Sequence, residues 1–288
     1  MSRGWWETFQ TEGIPRVPVG DWIDDGINYL QTEFGTAFDA IADGLEFILL
    51  YLQHGLSAIP PILFIIIFVL IAWYIVDKKV ALFTALGLYL IYNMGLWGPT
   101  MQTLAMVGTA VLLCIIIGVP LGILAAKNQT AERIITPILD FMQTLPAFVY
   151  LLPAIFFFGL GVVPAVIATL IFAMPPIIRL TKLGIQQVPE ELRELGKSFG
   201  STFSQMLIKI ELPLARSTIM AGINQCIMLS LSMVVIASMI GARGLGGEVW
   251  RGIQRLDIGT GFEAGLAIVI VAIILDRITQ NLGNSQEE

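Results

Sequence analysis

The sequence predicts an all-α polytopic membrane protein with about seven transmembrane helices. Of its 288 residues, 56% are hydrophobic and only 13% are charged, and the mean hydropathy is +0.81. A soluble domain carries about 25% charged residues, so this composition excludes a soluble enzyme. It also excludes disordered and collagen-like chains, and a net charge of -6 argues against nucleic-acid binding.

Seven apolar stretches, taken with their flanks, approach the ~20 residues that a helix needs to cross a bilayer. They run approximately over Ile59–Val76, Val80–Trp97, Met101–Ala126, Phe141–Phe158, Val162–Ile178, Thr218–Ile240 and Ile258–Leu275.

The direction of insertion follows from the basic residues, which short cytoplasmic loops retain. An N-terminus outside the cell places most of the 16 Lys and Arg on the cytoplasmic side. We therefore expect the N-terminus outside and the C-terminus in the cytoplasm. The outer loop between the last two spans opposes the rule, because it holds Arg243, Arg251 and Arg255.

The first 58 residues form a separate acidic region. Apolar residues recur there at steps of three and four from Ile23 to Leu52, while most acids fall elsewhere on the helical wheel. This pattern predicts an amphipathic helix or a pair of helices, with breaks at Gly35 and Gly44. Its role is either a structural brace or the binding of a partner.

The segment Arg179–Arg216 is the only long hydrophilic segment on the expected cytoplasmic side. Pro189 stands at a first helical position, Glu190 and Glu191 follow it, and Gly200 ends the pattern. A short helix over 189–199 is therefore predicted. Thr202 and Gln205 then form a capping-box pattern for a second helix, and Pro213 is expected to restart the chain toward the sixth span. Such a rigid knob can transmit force to a soluble partner, although surface helices also occur without that role.

The stretch ELGKSFGSTFSQMLIKIELP, Glu194–Pro213, resembles the EAA loop of ATP-binding cassette importer permeases. The matching residues are Glu194, Gly200, Ile210, Leu212 and Pro213, while Leu195 and Gly196 replace the two alanines. Further runs, including LPAFVYLLP and AGINQ, are similar to the permease subunit of glycine betaine/proline betaine importers. The resemblance extends over about residues 101–282.

The resemblance implies a type I importer permease fold and a set of partners. These are a second permease copy, two cytoplasmic ATPases that bind ATP and Mg²⁺, an extracytoplasmic binding protein and the bilayer of the bacterial cytoplasmic membrane. No cofactor is expected on this chain. The implied division is an N-terminal region 1–58, two accessory helices in 59–100, a permease core 101–282 with its coupling loop 179–216, and a cytoplasmic tail 283–288.

The same resemblance makes the cytoplasmic loop the contact with the ATPase. The residues that it implies for coupling are Glu194, Gly196, Phe199, Gly200, Ser201, Thr202, Ile210, Leu212 and Pro213.

A zwitterionic solute with a quaternary ammonium group would need polar or aromatic groups along its path. Polar side chains are rare inside spans and often mark such a path. The candidates are Gln143, Thr144, Asn224 and Gln225, with Pro146, Phe148 and Tyr150 nearby. The alternative for the polar residues is interhelical hydrogen bonding, and for the aromatic residues it is packing. Prolines 146, 153, 164, 175 and 176 are expected to break or kink their helices.

No catalytic or metal-binding constellation is visible. The phosphate-loop pattern G-x-x-x-x-G-K-[ST] is absent, His54 has no neighbouring ligand cluster, and Cys114 and Cys226 lie in apolar runs. The Gly-rich loop 241–259 resembles the re-entrant outer gate of these permeases. The remaining alternatives are a permease for choline, carnitine, methionine or another amino acid, an ion-coupled secondary transporter, and a membrane enzyme.

Overall fold

A computed structural model describes residues 19–284 of the chain, and every element in this range is helical. Predictions that concern residues 1–18 or 285–288, including most of the expected tail, lie outside the described residues. The helices are α1 (Val19–Ala58), α2 (Pro61–Ile75), α3 (Lys78–Asn93), α4 (Trp97–Lys127), α5 (Gln129–Thr144), α6 (Leu151–Phe158), α7 (Val162–Gln186), α8 (Glu190–Ser198), α9 (Phe203–Met206), α10 (Leu212–Ser238), α11 (Leu245–Arg255) and α12 (Ile258–Asn284).

The centre of the molecule is the packing of α7 against α4 and α10. Small residues let these backbones approach closely, as is usual between membrane helices. A methyl group on Gly122 of α4 would lie 2.6 Å from Thr181 Cβ and 2.8 Å from the Ile178 carbonyl oxygen of α7. A methyl group on Gly222 of α10 would lie 3.1 Å from Ile177 Cα. The three helices therefore form one tightly packed unit, against which α12 also packs through α10.

The all-helical membrane architecture is confirmed, but the number of spans differs from the sequence prediction. In the described residues, four helices are long and apolar enough to cross a membrane, or up to six if each of two bent pairs is one span. The sequence predicted about seven. One reason is length, since α3 has 16 residues and measures only about 24 Å at 1.5 Å per residue.

The predicted span 141–158 is not one straight helix. It divides between α5, a 3₁₀ turn over Ala147–Tyr150, and α6, with a bend of 111°. Pro146 precedes the 3₁₀ turn, and its fixed backbone angle and missing N–H end α5 at this point. Pro175 and Pro176, by contrast, lie within α7, which continues past them. Of the two expected effects, a break or a kink, the break does not occur at these residues.

The N-terminal amphipathic region forms the single helix α1 from Val19 to Ala58, and the expected breaks at Gly35 and Gly44 do not occur. It packs against α4, α6 and α7. Phe38 stacks on Phe157 with ring centroids 4.5 Å apart. At Ala58 the chain turns by 97° into α2.

The close contact between α4 and α7 predicts the effect of a single methyl group. Gly122→Ala places Cβ against Thr181 and Ile178, and we expect it to cost roughly 1–3 kcal/mol, as overpacking does elsewhere. The thermal unfolding midpoint of the purified chain in detergent should fall. Gly108→Ala, on the same helix with no heavy atom within 4 Å of its Cβ, is the matched control and should leave that midpoint unchanged or raise it. Equal midpoints for the two variants would contradict this packing.

Candidate functional site

The hydrophilic loop between α7 and α10 folds into a helical hairpin of two arms, α8 and the helix that begins at Phe203. Pro189 is the residue before α8 and not its first residue, so the helix begins one position later than predicted. Glu190 and Glu191 lie in its first turn, where the helix dipole favours negative charge. The predicted short helix is therefore confirmed, with a shift of one residue at each end.

The turn of the hairpin is built on Gly200. The N–H of Ser201 donates to the Gly196 carbonyl at 3.0 Å, and the N–H of Gly200 donates to the Lys197 carbonyl at 2.9 Å. These two bonds form a Schellman motif, which requires a left-handed residue after the helix. Gly200 has φ +73° and supplies that conformation without steric cost.

The second arm opens with the predicted capping box. The Thr202 N–H donates to Gln205 Oε1 at 2.9 Å, and the Gln205 N–H donates to Thr202 Oγ1 at 3.4 Å. Together these bonds satisfy two backbone donors at the start of the arm.

Pro213 does not restart the chain, contrary to the sequence prediction. The second arm and α10 form one continuous helix over Phe203–Ser238. A π-helical segment, Leu207–Glu211, precedes the proline, and the Leu212 N–H donates to the Leu207 carbonyl. Proline has no N–H for the normal ladder, and the wider turn lets the helix pass through it.

The residues implied for coupling divide between the outside and the inside of the hairpin. Glu194, Phe199, Gly200, Thr202 and Pro213 are exposed, and Ser201, Ile210 and Leu212 are partly buried. Gly196 is buried against the second arm. A Cβ at this position would lie only 2.7 Å from Met206 Cε and 2.8 Å from Ile210 Cδ1. The glycine that replaces an alanine of the family pattern thus lets the two arms lie close together.

The tip of the hairpin presents two largely exposed aromatic side chains. Phe199 is 81% exposed and Phe203 is 64% exposed, on either side of the Gly200 turn. The sequence analysis did not predict the exposure of Phe203. Exposed aromatic residues grouped in this way are typical of surfaces that contact other proteins.

A buried charge cluster lies beneath the hairpin, and sequence reasoning did not find it. Glu211 is 1% exposed and forms an ion pair with Lys127, the last residue of α4. Its Oε1 atom also lies 3.2 Å from Arg193 Nε of α8. Arg193 donates through Nη2 to the Ile185 carbonyl, in the last turn of α7, at 2.5 Å. One carboxylate therefore joins α4, α8 and the start of α10. Its position between two apolar residues, Ile210 and Leu212, was the available sequence signal.

Two further ion pairs fasten α5 to α7 on the same side of the molecule. Lys182 pairs with Glu132 at 2.5 Å, and Arg179 pairs with Asp140 at 2.5 Å. Neither pair includes a residue of the hairpin.

The candidate path residues fall into two groups. Gln143, Thr144, Pro146 and Phe148 are exposed at the bend between α5 and α6. Tyr150 is buried, its hydroxyl donates to the Met142 carbonyl, and its ring packs edge-on against Phe172.

The two adjacent polar residues of α10 differ in their contacts. Asn224 donates to Asp276 Oδ1 at 2.8 Å and accepts from Thr279 Oγ1 at 2.5 Å, so both halves of its amide bind α12. Gln225, at the midpoint of α10, is exposed. Asn224 therefore fits the interpretation of an interhelical hydrogen-bonding residue better than that of a path residue. The exposed amide of Gln225 can contact another molecule.

The Gly-rich segment 241–259 contains the 11-residue helix α11, which packs against both α10 and α12. The Leu245 N–H at its start donates to Thr103 Oγ1 of α4 at 2.8 Å. A cavity of about 620 Å³ opens beside α11 and is lined by Gln102, Arg243, Glu248, Trp250, Arg251 and Arg255, among others.

The turn from α11 into α12 is capped by Asp257. The hydroxyl of Thr260 donates to Oδ2 of this residue at 2.7 Å, and the backbone N–H of Thr260 donates to Oδ1 at 3.2 Å. Both bonds lower the pKa of Asp257 below its ordinary value, and the bond from the Thr260 hydroxyl has the larger effect. The Asp257 carboxylate is therefore charged at neutral pH, and its negative charge stabilises the positive end of the α12 dipole.

Comparison with known proteins places these features in one family. The family described as "Binding-protein-dependent transport system inner membrane component" matches residues 118–286. The glycine betaine transport system permease protein OpuAB of Bacillus subtilis is 57% identical over 93% of this chain and 95% of its own length. The glycine betaine/proline betaine permease ProW of Escherichia coli is 51% identical over 93% of this chain and 75% of its own.

More distant likenesses agree with this placement. The trimethylamine N-oxide permease TmoV of Ruegeria pomeroyi is 36% identical over 91% of this chain and 42% of its own length. A solved chain of the MetNI methionine ABC transporter, in inward-facing conformations, matches with a TM-score of 0.59 and 20% identity, covering 64% of this chain and 92% of that one. This last likeness concerns the fold alone.

The Schellman turn predicts a specific response to substitution at its glycine. Gly200→Val forces a β-branched residue into the left-handed region at a cost of about 1–2 kcal/mol, and the amide of Ser201 should exchange hydrogen faster. Gly200→Asn is the matched control, since asparagine tolerates this conformation. Hydrogen-exchange mass spectrometry of residues 195–206 measures both. The turn described here would be refuted if valine and asparagine protected Ser201 equally.

Proposed function

The chain belongs to the family of binding-protein-dependent transport system inner membrane components, and on that premise we propose that it forms the membrane path of an ATP-driven importer for glycine betaine and proline betaine. As the transmembrane subunit of an ABC importer, it is a multi-pass inner membrane protein and is not itself an ATPase. Nucleotide and Mg²⁺ belong to the partner ATPase subunits.

The solute class is proposed from the sequence identity between this chain and permeases that are named for betaine transport. Permeases named for glycine betaine or proline betaine transport are 50% to 57% identical, each over 93% of this chain. A second candidate is a related methylated amine, because the glycine betaine/carnitine permease GbuB of Listeria monocytogenes is 52% identical. Glycine betaine, carnitine and trimethylamine N-oxide all carry a fully substituted, methylated nitrogen, so one path would suit all three.

The hairpin is the proposed contact with the ATPase. Phe199 and Phe203 are exposed at its tip, and Glu194 and Thr202 of the same hairpin are also exposed. The Schellman turn and the capping box hold this tip in one shape, so that a push on it moves both arms. Two such hairpins, one from each of two permease copies, would engage two ATPase subunits.

The proposed path runs between the two permease copies. Gln225 supports it, because an exposed amide at the middle of an apolar helix is costly unless it meets water or protein. Gln143, Thr144 and Phe148 are exposed at the bend between α5 and α6 and are the other proposed wall. Asn224 and Tyr150 are assigned to packing instead, because their polar groups already have partners.

The proposed orientation keeps the N-terminus outside and the C-terminus in the cytoplasm. In its support, Lys127 at the end of α4 and Arg193 of the hairpin both lie next to Glu211, and Lys182 near the end of α7 pairs with Glu132 of α5. In the proposed orientation, α11 and its cavity lie on the outer side and face the extracytoplasmic binding protein.

The domain division is retained as a proposal with two adjustments, because the core begins at Trp97 with α4, before residue 101, and extends beyond residue 282. The N-terminal region 1–58 ends where α1 ends, α2 and α3 are the two accessory helices within 59–100, and the core begins with α4. The core was placed at 101–282, but α12 continues to Asn284 and takes in the first residues of the tail 283–288.

Reconstitution tests the function directly. The chain is placed in liposomes with its ATPase and binding protein, and uptake of radiolabelled glycine betaine is measured. We expect uptake only when both ATP and the binding protein are present, with competition by proline betaine and carnitine and none by methionine. Uptake driven by an ion gradient without ATP would instead identify a secondary transporter.

The contrast between the two neighbours on α10 gives a second test. Gln225→Ala should lower the maximal rate of uptake and leave the unfolding midpoint in detergent unchanged, since Gln225 packs against nothing in the described chain that depends on its amide. Asn224→Ala should lower the unfolding midpoint, because it removes interhelical hydrogen bonds worth about 0.6 kcal/mol each. A normal uptake rate for Gln225→Ala would remove this residue from the path.

A further inference from the structure

Glu211 holds the hairpin to the end of α4. Its carboxylate pairs with Lys127, while its own backbone belongs to the helix that runs from the hairpin tip into α10. Lys127 also lies 5.8 Å from the centroid of the Phe203 ring, at the tip itself. The last residue of α4 is thus bound twice to the second arm of the hairpin.

The contacts on the two sides of Glu211 are unequal. Lys127 Nζ makes a hydrogen-bonded ion pair with Oε1, whereas Arg193 Nε lies 3.2 Å from the same oxygen and makes no hydrogen bond. The other oxygen, Oε2, is buried with no hydrogen-bond partner. A buried anion is stable only next to its cations. If Lys127 moves, Glu211 therefore has to move with it, because separation would leave the buried carboxylate without its hydrogen-bonded cation.

At its opposite end α4 holds the outer helix α11. Thr103 Oγ1, buried, accepts the first free N–H of α11, that of Leu245. Gly244, just before it, fits against Thr103 so closely that a Cβ would lie 2.5 Å from Thr103 Oγ1. From Thr103 to Lys127 the helix spans 24 residues, or about 36 Å at 1.5 Å per residue.

We propose that Glu211 is a positioning residue that makes α4 the connecting rod between the cytoplasmic hairpin and the outer helix α11. Movement of the hairpin under the ATPase pulls Lys127 through the buried pair, α4 carries that movement as one continuous helix that Pro120 does not interrupt, and Thr103 passes it to α11 beside the outer cavity. The proposal rests on the proposed function, since it needs an ATPase on the hairpin.

Hydrogen exchange in the complex of the full chain with its ATPase tests the rod. In the wild type, a non-hydrolysable ATP analogue should change exchange in the hairpin (190–211) and also in α11 (245–255). In Glu211→Gln, which removes the anion between two cations, the hairpin response should remain and the α11 response should fall several-fold, leaving only what the continuous helix through α10 transmits. An α11 response of wild-type size in Glu211→Gln would overturn the proposal.

Transport coupling provides the second readout. The number of solute molecules imported per ATP hydrolysed should fall about five-fold or more in Glu211→Gln, which is the lower end of ordinary coupling between two sites. A residue with a merely structural role would lower uptake and hydrolysis together and leave their ratio unchanged. An unchanged ratio would therefore also count against the rod.

Two other variants keep the test decisive if Glu211→Gln fails to assemble. Lys127→Met cuts the rod at its inner end and leaves Glu211 beside Arg193, and Thr103→Val cuts it at its outer end. Each should lower the α11 response several-fold, and a response of wild-type size in either variant would overturn the proposal. Glu132→Gln is the matched control, because it breaks the Lys182 pair on the same side without touching the hairpin, and it should respond like the wild type.

Failure of the proposed function is distinguishable from failure of the rod. The exchange measurement needs only the permease and its ATPase, whatever the solute. If the wild type responds at α11 but imports no betaine, the rod is supported and the proposed solute is wrong. If the wild type imports betaine but shows no response at α11, the proposed function is supported and the rod is wrong.

Discussion

The structure depends on one constraint, which is that a chain in hydrocarbon must satisfy its backbone polar groups without water. This need explains the wide turn before Pro213, where the helix continues although one N–H is missing. Irregular backbone occurs between the helices, as at the bend around Pro146 and at the Gly200 turn, where capping bonds or a surface position satisfy it. Hydroxyl groups are satisfied in the same way, and those of Thr109 and Thr169 donate to carbonyls one turn earlier in their own helices.

The constraint extends to side chains, and it separates packing residues from residues that have another use. Asn224, Tyr150 and Glu211 lie in apolar surroundings, and each has a polar partner within the chain. Gln225 has no such partner in the part of the chain that the structure describes, and the Phe199 and Phe203 rings are exposed at the hairpin tip. Under the proposed function, other chains complete these surfaces, as the rest of the path and as the contact with the ATPase.

Local sequence signals predicted the local structures well. Pro189, Gly200 and the Thr202–Gln205 pair each fix the backbone within a few residues of themselves, and the hairpin they predicted is confirmed. Hydropathy located the apolar segments, but it could not show that 141–158 bends by 111° or that α3 is too short to span, because it measures apolarity and not geometry. Gly35 and Gly44 failed as breaks because packing of α1 against its neighbours outweighs their low helix propensity.

Local sequence signals could not predict the buried charge cluster, because Lys127 and Glu211 are 84 positions apart in the chain. Only the fold brings them together, and Glu211 occupies the one unspecified position between Ile210 and the Leu-Pro pair of the family pattern.

The absence of a break at Pro213 has a mechanical consequence. The second arm of the hairpin and α10 form a single helix of 36 residues, about 54 Å long at 1.5 Å per residue. Such a helix acts as a lever, and a tilt of only ~1° displaces its far end by about 1 Å in a rod of this length. A small change in the angle of the hairpin tip is thereby enlarged at the other end of α10, and the span need neither unfold nor bend for this to happen.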